Sequence, residues 1–147
     1  MAANLPREIG ATAAERSGGI GGYYPWGFTP IPPPKTGNFL DKTADPTGNK
    51  SIPGYNDAFA AAAPVASFRV DARSQLFDLA GNVWEWVADP WSTTPGEGVV
   101  RGGAYTTMDA HELLASHRRK VLVTDHLPDV GFRILLSPQG QTARAED

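Results

Sequence analysis

The 147-residue chain contains no cysteine. That absence excludes disulfides, thiol nucleophiles and thiolate metal sites together. Histidine is scarce as well, with only His111, His117 and His126 available as imidazole ligands. No run approaches the ~20 apolar residues of a membrane-spanning helix, so no membrane span is expected. The opening MAANLPREIGATAAERSGG lacks an apolar stretch and carries acidic residues early, unlike a signal peptide. Cytoplasmic synthesis is the expectation, with the final location open and incorporation into a larger particle compatible with it. A strong excess of either charge is also missing: the net charge of -3 gives no steering toward nucleic acid. The densest basic run, His117 to Lys120, has no interleaved aromatics, and no nucleic-acid partner is expected.

Glycine and proline are abundant, at 16 and 13 residues, yet four tryptophans accompany them. Such a chain is loop-rich and folded rather than disordered, and its length suits one domain with one core. The pattern predicts a helix over residues 5–17. A very long segment without periodicity follows, residues 28–59, and a segment of this length needs something to order it. APVASF (63–68) reads as a short strand. VWEWVAD (83–89) alternates in a strand-like period after a Gly81-Asn82 turn. GVVRGGAY reads as another strand, and DAHELLASHRRKVLV as a helical turn leading into an extended piece. VGFRILL (130–136) is the cleanest strand. The fold class expected is α+β and loop-dominated.

FDLAGNVWEWVADPW crowds three indoles around Glu85. Trp84 and Trp86 are expected to pack in the core, while Trp91, beyond Pro90, stands between packing and surface contact. Glu85 has Arg101 and Arg133 as candidate ion-pair partners, and Arg133, with five donors, suits anchoring of loops. Asn82 also reads as a turn residue and Asp57 as a turn cap. Gly102-Gly103 lack a phosphate-loop lysine, so close backbone approach to the tryptophan turn explains them better than ligand binding.

Taken in order, LPREIGATAAERSGG, YYPWG, GNF before YNDAFAAAAPVASF, LFDLAGNVWEW, VVRGGAY and VGFRILL resemble the formylglycine-generating enzyme, or sulfatase-modifying-factor, family. The resemblance runs from about Leu5 to Leu136. It implies a variant of the C-type lectin fold, truncated at the N-terminus because the family's first strand and helix would precede Leu5. The domain is expected at residues 1–137, with a polar tail at 138–147. The family's copper oxidases carry two cysteines after the glycine-aromatic motif. Those positions fall here on Thr107 and Glu112, so formylglycine-generating oxidase activity is not expected, and no catalytic residue is assigned. The resemblance further implies structural calcium at two places. One set is Asn38 and Asp57 with the carbonyls of Phe39 and Phe59, and the other is Asn82 and Glu85. Hard oxygen donors on irregular loops suit this ion.

The expected function is a non-catalytic structural or recognition module, part of an oligomer or a larger assembly such as a virion. Its expected partner is a protein or a second copy, with a glycan or other ligand also compatible, and loop 104–128 is the natural recognition surface. The alternatives are a metal-dependent enzyme of altered chemistry built on Asp109, His111, Glu112 and His117, or one subunit of a split enzyme of this family.

Overall fold

The computed structural model describes residues 23–68 and 76–134. Four strands form one sheet in the order β3-β2-β1-β4. They are β1 Trp84–Pro90, β2 Glu97–Arg101, β3 Arg119–Leu122 and β4 Val130–Gly131. β1 and β2 are antiparallel, with Trp86 opposite Val100 and an irregularity between Val87 and Pro90. β3 continues antiparallel on β2, and β4 lies parallel to β1 through Trp84–Val130 and Glu85–Gly131.

The alternation in VWEWVAD places Trp84 and Trp86 on one face. Trp84 is fully buried with Val100, Ala104 and Val121, and Trp86, Leu127 and Val130 pack against that cluster. Trp86 lies across Gly98, where an added Cβ would come within 2.5 Å of the indole. Trp91 lies at the surface under the Arg118 guanidinium, 5.2 Å from its ring centre.

A second core, of Phe39, Ile52, Tyr55, Ala80 and Leu113 with Tyr24 and Trp26 against it, sits under the long loop. Residues 28–59 are therefore anchored despite having no strand of their own. Leu40 donates to the Thr107 carbonyl and Ile52 to the Leu40 carbonyl. Asp41, fully buried, accepts the backbone N–H groups of Thr43, Ala44 and Asp57.

The α+β expectation is overturned: the described residues contain no helix, and their regular structure is entirely β. The helix expected at 5–17 and the tail at 138–147 lie outside the described residues. At 109–113 the chain makes a single helix-like turn, the Glu112 and Leu113 N–H groups donating to the Asp109 carbonyl, and the extended piece expected after it is β3. The Asp109 carboxylate takes the His111 N–H at 2.8 Å, which caps this turn. Arg101 Nη1 then reaches the carbonyls of Ala115, Ser116 and His117. APVASF does not pair. Ala66 takes a positive φ of 66° and the Asp78 carboxylate holds the N–H groups of Ala66 and Phe68, which breaks the two-residue alternation. In VGFRILL only Val130 and Gly131 join the sheet. Phe132 and Ile134 stand exposed, and residues 135 and 136 lie outside the described range.

Candidate functional site

The long loop and the turn before the tryptophans cross at one point. Asn82 N–H donates to the Asn38 carbonyl at 2.7 Å, and Gly81 N–H to the Gly102 carbonyl at 2.8 Å. This approach needs glycine at two positions. A Cβ on Gly37 would lie 2.1 Å from the Ala80 carbonyl oxygen, and one on Gly81 would lie 2.3 Å from that of Asn38. Gly103 sits beside the same contact, near Phe39 and Gly81, in agreement with the close-approach reading of the glycine pair.

Two buried asparagines join side chain to side chain here. Asn38 Nδ2 donates to Asn82 Oδ1 at 3.1 Å and to the Ala61 carbonyl at 2.9 Å. Asn82 Oδ1 also accepts the Ala63 N–H at 2.7 Å, while its Nδ2 donates to the Ala63 carbonyl. Asn82 takes a positive φ of 66°, which asparagine tolerates better than most residues. Asn38 Oδ1, by contrast, is buried and has no hydrogen-bond partner.

Asn38, Phe39, Asp57 and Phe59 come together around this crossing. The two Asp57 oxygens accept the N–H groups of Phe39 at 2.8 Å and Phe59 at 2.9 Å. The Phe59 contact is the turn cap that the sequence allows. Burial pushes the Asp57 carboxyl above the ordinary range; the two amides pull it down, and the neighbouring Asp41 carboxylate adds to the rise. Tyr55 closes the cluster from below. Its hydroxyl donates to the Gly37 carbonyl at 2.5 Å and accepts the Gly37 N–H at 3.2 Å, and burial pushes the phenol up to about 12. Asp41 and Tyr55 were not singled out from the sequence. Asp41-Lys42-Thr43 does carry the local signal of an aspartate turn, whereas the Tyr55 partner is 18 positions away.

Asn82 and Glu85 line a different space, a cleft of about 430 Å³ shared with Val65, Phe77, Asp78, Phe132 and Arg133. Here Arg133 grips Glu85 bidentately, Nη2 to Oε1 at 2.6 Å and Nε to Oε2 at 3.0 Å. Arg133 Nη2 also donates to the carbonyls of Phe77 at 3.0 Å and Asp78 at 3.4 Å. Of the two partners open to Glu85, Arg133 is the one it takes, and the loop-anchoring role of Arg133 follows from the same contacts.

The positions on which the resemblance lays the family's thiols hold groups of another kind. Thr107 is buried, and its hydroxyl accepts the Ala104 N–H at 3.0 Å. Glu112 is half-buried in the run of turns. His111 and His126 are exposed, and His117 tilts against Trp84 at 5.7 Å. Among the described residues no three histidine or acidic side chains gather at one point, so Asp109, His111, Glu112 and His117 do not form a metal cluster.

The profile of the sulfatase-modifying factor enzyme 1-like domain matches residues 1–138. The chain belongs to the sulfatase-modifying-factor family. It is 34% identical over 136 residues to the inactive C-alpha-formylglycine-generating enzyme 2 of Bos taurus, covering 88% of this chain and 42% of that protein. It is 30% identical over 149 residues to the formylglycine-generating enzyme of Streptomyces coelicolor, covering 88% of this chain and 45% of that enzyme. The chain thus spans less than half the length of these relatives. Among solved structures, CarF aligns over 87% of this chain and 45% of its own at 25% identity, with a TM-score of 0.56. PvdO from Pseudomonas aeruginosa aligns over 88% and 50% at 22% identity and a TM-score of 0.58, a likeness of fold. As a member of this family without a single cysteine, the chain has no thiolate with which to bind soft monovalent copper or exchange with a substrate thiol. It does not support formylglycine-generating oxidation.

Proposed function

We propose that this sulfatase-modifying-factor domain is a non-catalytic structural or recognition module, of C-type-lectin-like form and corresponding to the later part of the family domain. In this reading it works inside a larger assembly: an oligomer, a complex with another protein, or a particle such as a virion. The observation that carries the reading is Thr107. Where the family resemblance lays a reactive thiol stands a buried hydroxyl already engaged with the backbone, so this residue fixes the 104–107 turn. Exposed Leu122, Val123, Phe132 and Ile134 along the sheet edges support association, since large apolar side chains at sheet edges favour contact with another chain.

Structural calcium belongs to this reading at the Asn38–Asp57 cluster. Asn38 Oδ1 is a buried acceptor without a donor, and leaving such a group unpaired costs about 1–3 kcal/mol. Together with the Asp57 carboxylate and the carbonyls of Phe39 and Phe59, it makes a hard oxygen set suited to calcium. The ion would fasten the two arms of the long loop, residues 38–39 and 57–59, to each other beside the contact of Asn38 with Asn82.

Native mass spectrometry of the chain from its own source, with metal analysis of the same sample, tests the proposal. A fixed stoichiometric assembly with calcium and no transition metal is the expected result. A monomer filled with iron, copper or zinc would overturn it.

A further inference from the structure

The two calcium sets that the family resemblance implies are not alike in this chain. In the first, both Asp57 oxygens accept backbone N–H groups but face no cation among the described residues, and Asn38 Oδ1 is an orphaned buried acceptor. In the second, the side-chain oxygens are already committed. Asn82 Oδ1 accepts two N–H groups, from Asn38 and Ala63. Both oxygens of Glu85 are held by Arg133. The neighbouring Asp78 carboxylate is divided between the N–H groups of Ala66 and Phe68, and the carbonyls of Phe77 and Asp78 accept from Arg133.

We infer that Arg133 serves as the built-in cation of this cleft, so that Glu85 and Asn82 bind no calcium and, of the two sets, only the first takes a structural ion. The chemistry favours the guanidinium on three counts. It is charged at every accessible pH and delivers its donors in a planar fork that fits a carboxylate. Its remaining Nη2 hydrogen is shared between the carbonyls of Phe77 and Asp78 at the same time. A divalent ion entering at Glu85 would also meet a fixed positive charge about one hydrogen-bond length from the ligand it needs, and expelling Arg133 would leave the Phe77 and Asp78 carbonyls without this donor. The Glu85–Arg133 contact spans 48 positions. It thereby joins the turn before the tryptophans to the segment after β4, the task an ion would perform there.

The stoichiometry rests on the calcium reading of the Asn38–Asp57 cluster, whereas the statement about Glu85 does not. The test measures thermal unfolding of the full chain in excess EDTA and in excess calcium for wild type, Glu85→Gln and Arg133→Met, with calcium counted by native mass spectrometry. Glu85→Gln is expected to lower Tm by the same amount in EDTA and in calcium. Arg133→Met is expected to gain a calcium-dependent rise in Tm larger than that of wild type, because it frees the carboxylate. Wild type should carry one calcium ion. Two ions in wild type, with one lost in Glu85→Gln, would overturn the inference, as would a Glu85→Gln defect confined to calcium. Should Arg133→Met fail to fold, the Glu85→Gln comparison decides alone. If wild type binds no calcium at all, the reading of the first cluster fails while the assignment of Arg133 stands.

Discussion

Tyr55 shows how much of this domain hangs on single polar atoms. Its hydroxyl both donates to and accepts from Gly37 inside a core otherwise made of Phe39, Ile52 and Leu113. Tyr55→Phe keeps the ring and removes both bonds, leaving a buried N–H and a buried carbonyl without that partner. A loss of about 1–3 kcal/mol is expected, measured as a shift of the urea midpoint with an unchanged slope. At this scale the sequence was partly readable. Asn38, Asp57, Asn82 and Glu85 were marked from resemblance, and the structure gives each a defined set of partners. What stayed hidden was the assignment of those partners: Glu85 had two arginines in range of choice, and only the pairing of β4 beside β1 brings Arg133 to it. Asp41 was missed because a buried aspartate bonded to three amides looks, in sequence, like any turn aspartate.

At the scale of elements, the alternation of VWEWVAD and the apolar run GVV led directly to β1 and β2, because each is a half-buried strand whose period survives in sequence. The stretch read as a helical turn before an extended piece at 109–123 gives one such turn and then β3. The strand read at 63–68, by contrast, does not form, because the Asp78 side chain takes the backbone N–H groups of Ala66 and Phe68 that pairing needs. The β1–β2 hairpin depends on Gly98 having no side chain, since Trp86 occupies that space. Gly98→Ala is expected to displace the indole and cost about 1–3 kcal/mol. The displacement would appear as a changed near-ultraviolet circular dichroism spectrum, with the far-ultraviolet spectrum retained.

For the whole molecule, acid response follows from Asp57. Its pKa in the folded chain lies above the ordinary carboxylate value, chiefly through burial, so the folded state holds this proton more firmly than the unfolded state does. The contribution of Asp57 therefore favours folding at pH below its ordinary value and is lost as pH rises through the raised one. Under the proposed calcium reading the ion reverses the preference, because it needs the carboxylate. In EDTA, Asp57→Asn is expected to reduce the decline in stability across the window just above pH 3.8. With calcium present, wild type should gain stability as pH rises through the same window. Urea titrations at a series of pH values, with and without calcium, measure both. Fold class was the least legible feature, since the described residues are β and loop, and a loop held by non-local polar contacts leaves no periodic trace in sequence.

The Asn38–Asn82 contact bridges 44 positions and sits where two loops touch backbone to backbone. Local turns at Asp41–Thr43 and Asp57–Phe59 shape the long loop, but the crossing bonds form only when distant parts of the chain meet. The consequence is kinetic. Folding includes this long-range encounter, and once it is made the amide proton of Asn82 reports on its opening, exchanging with solvent when the two loops part.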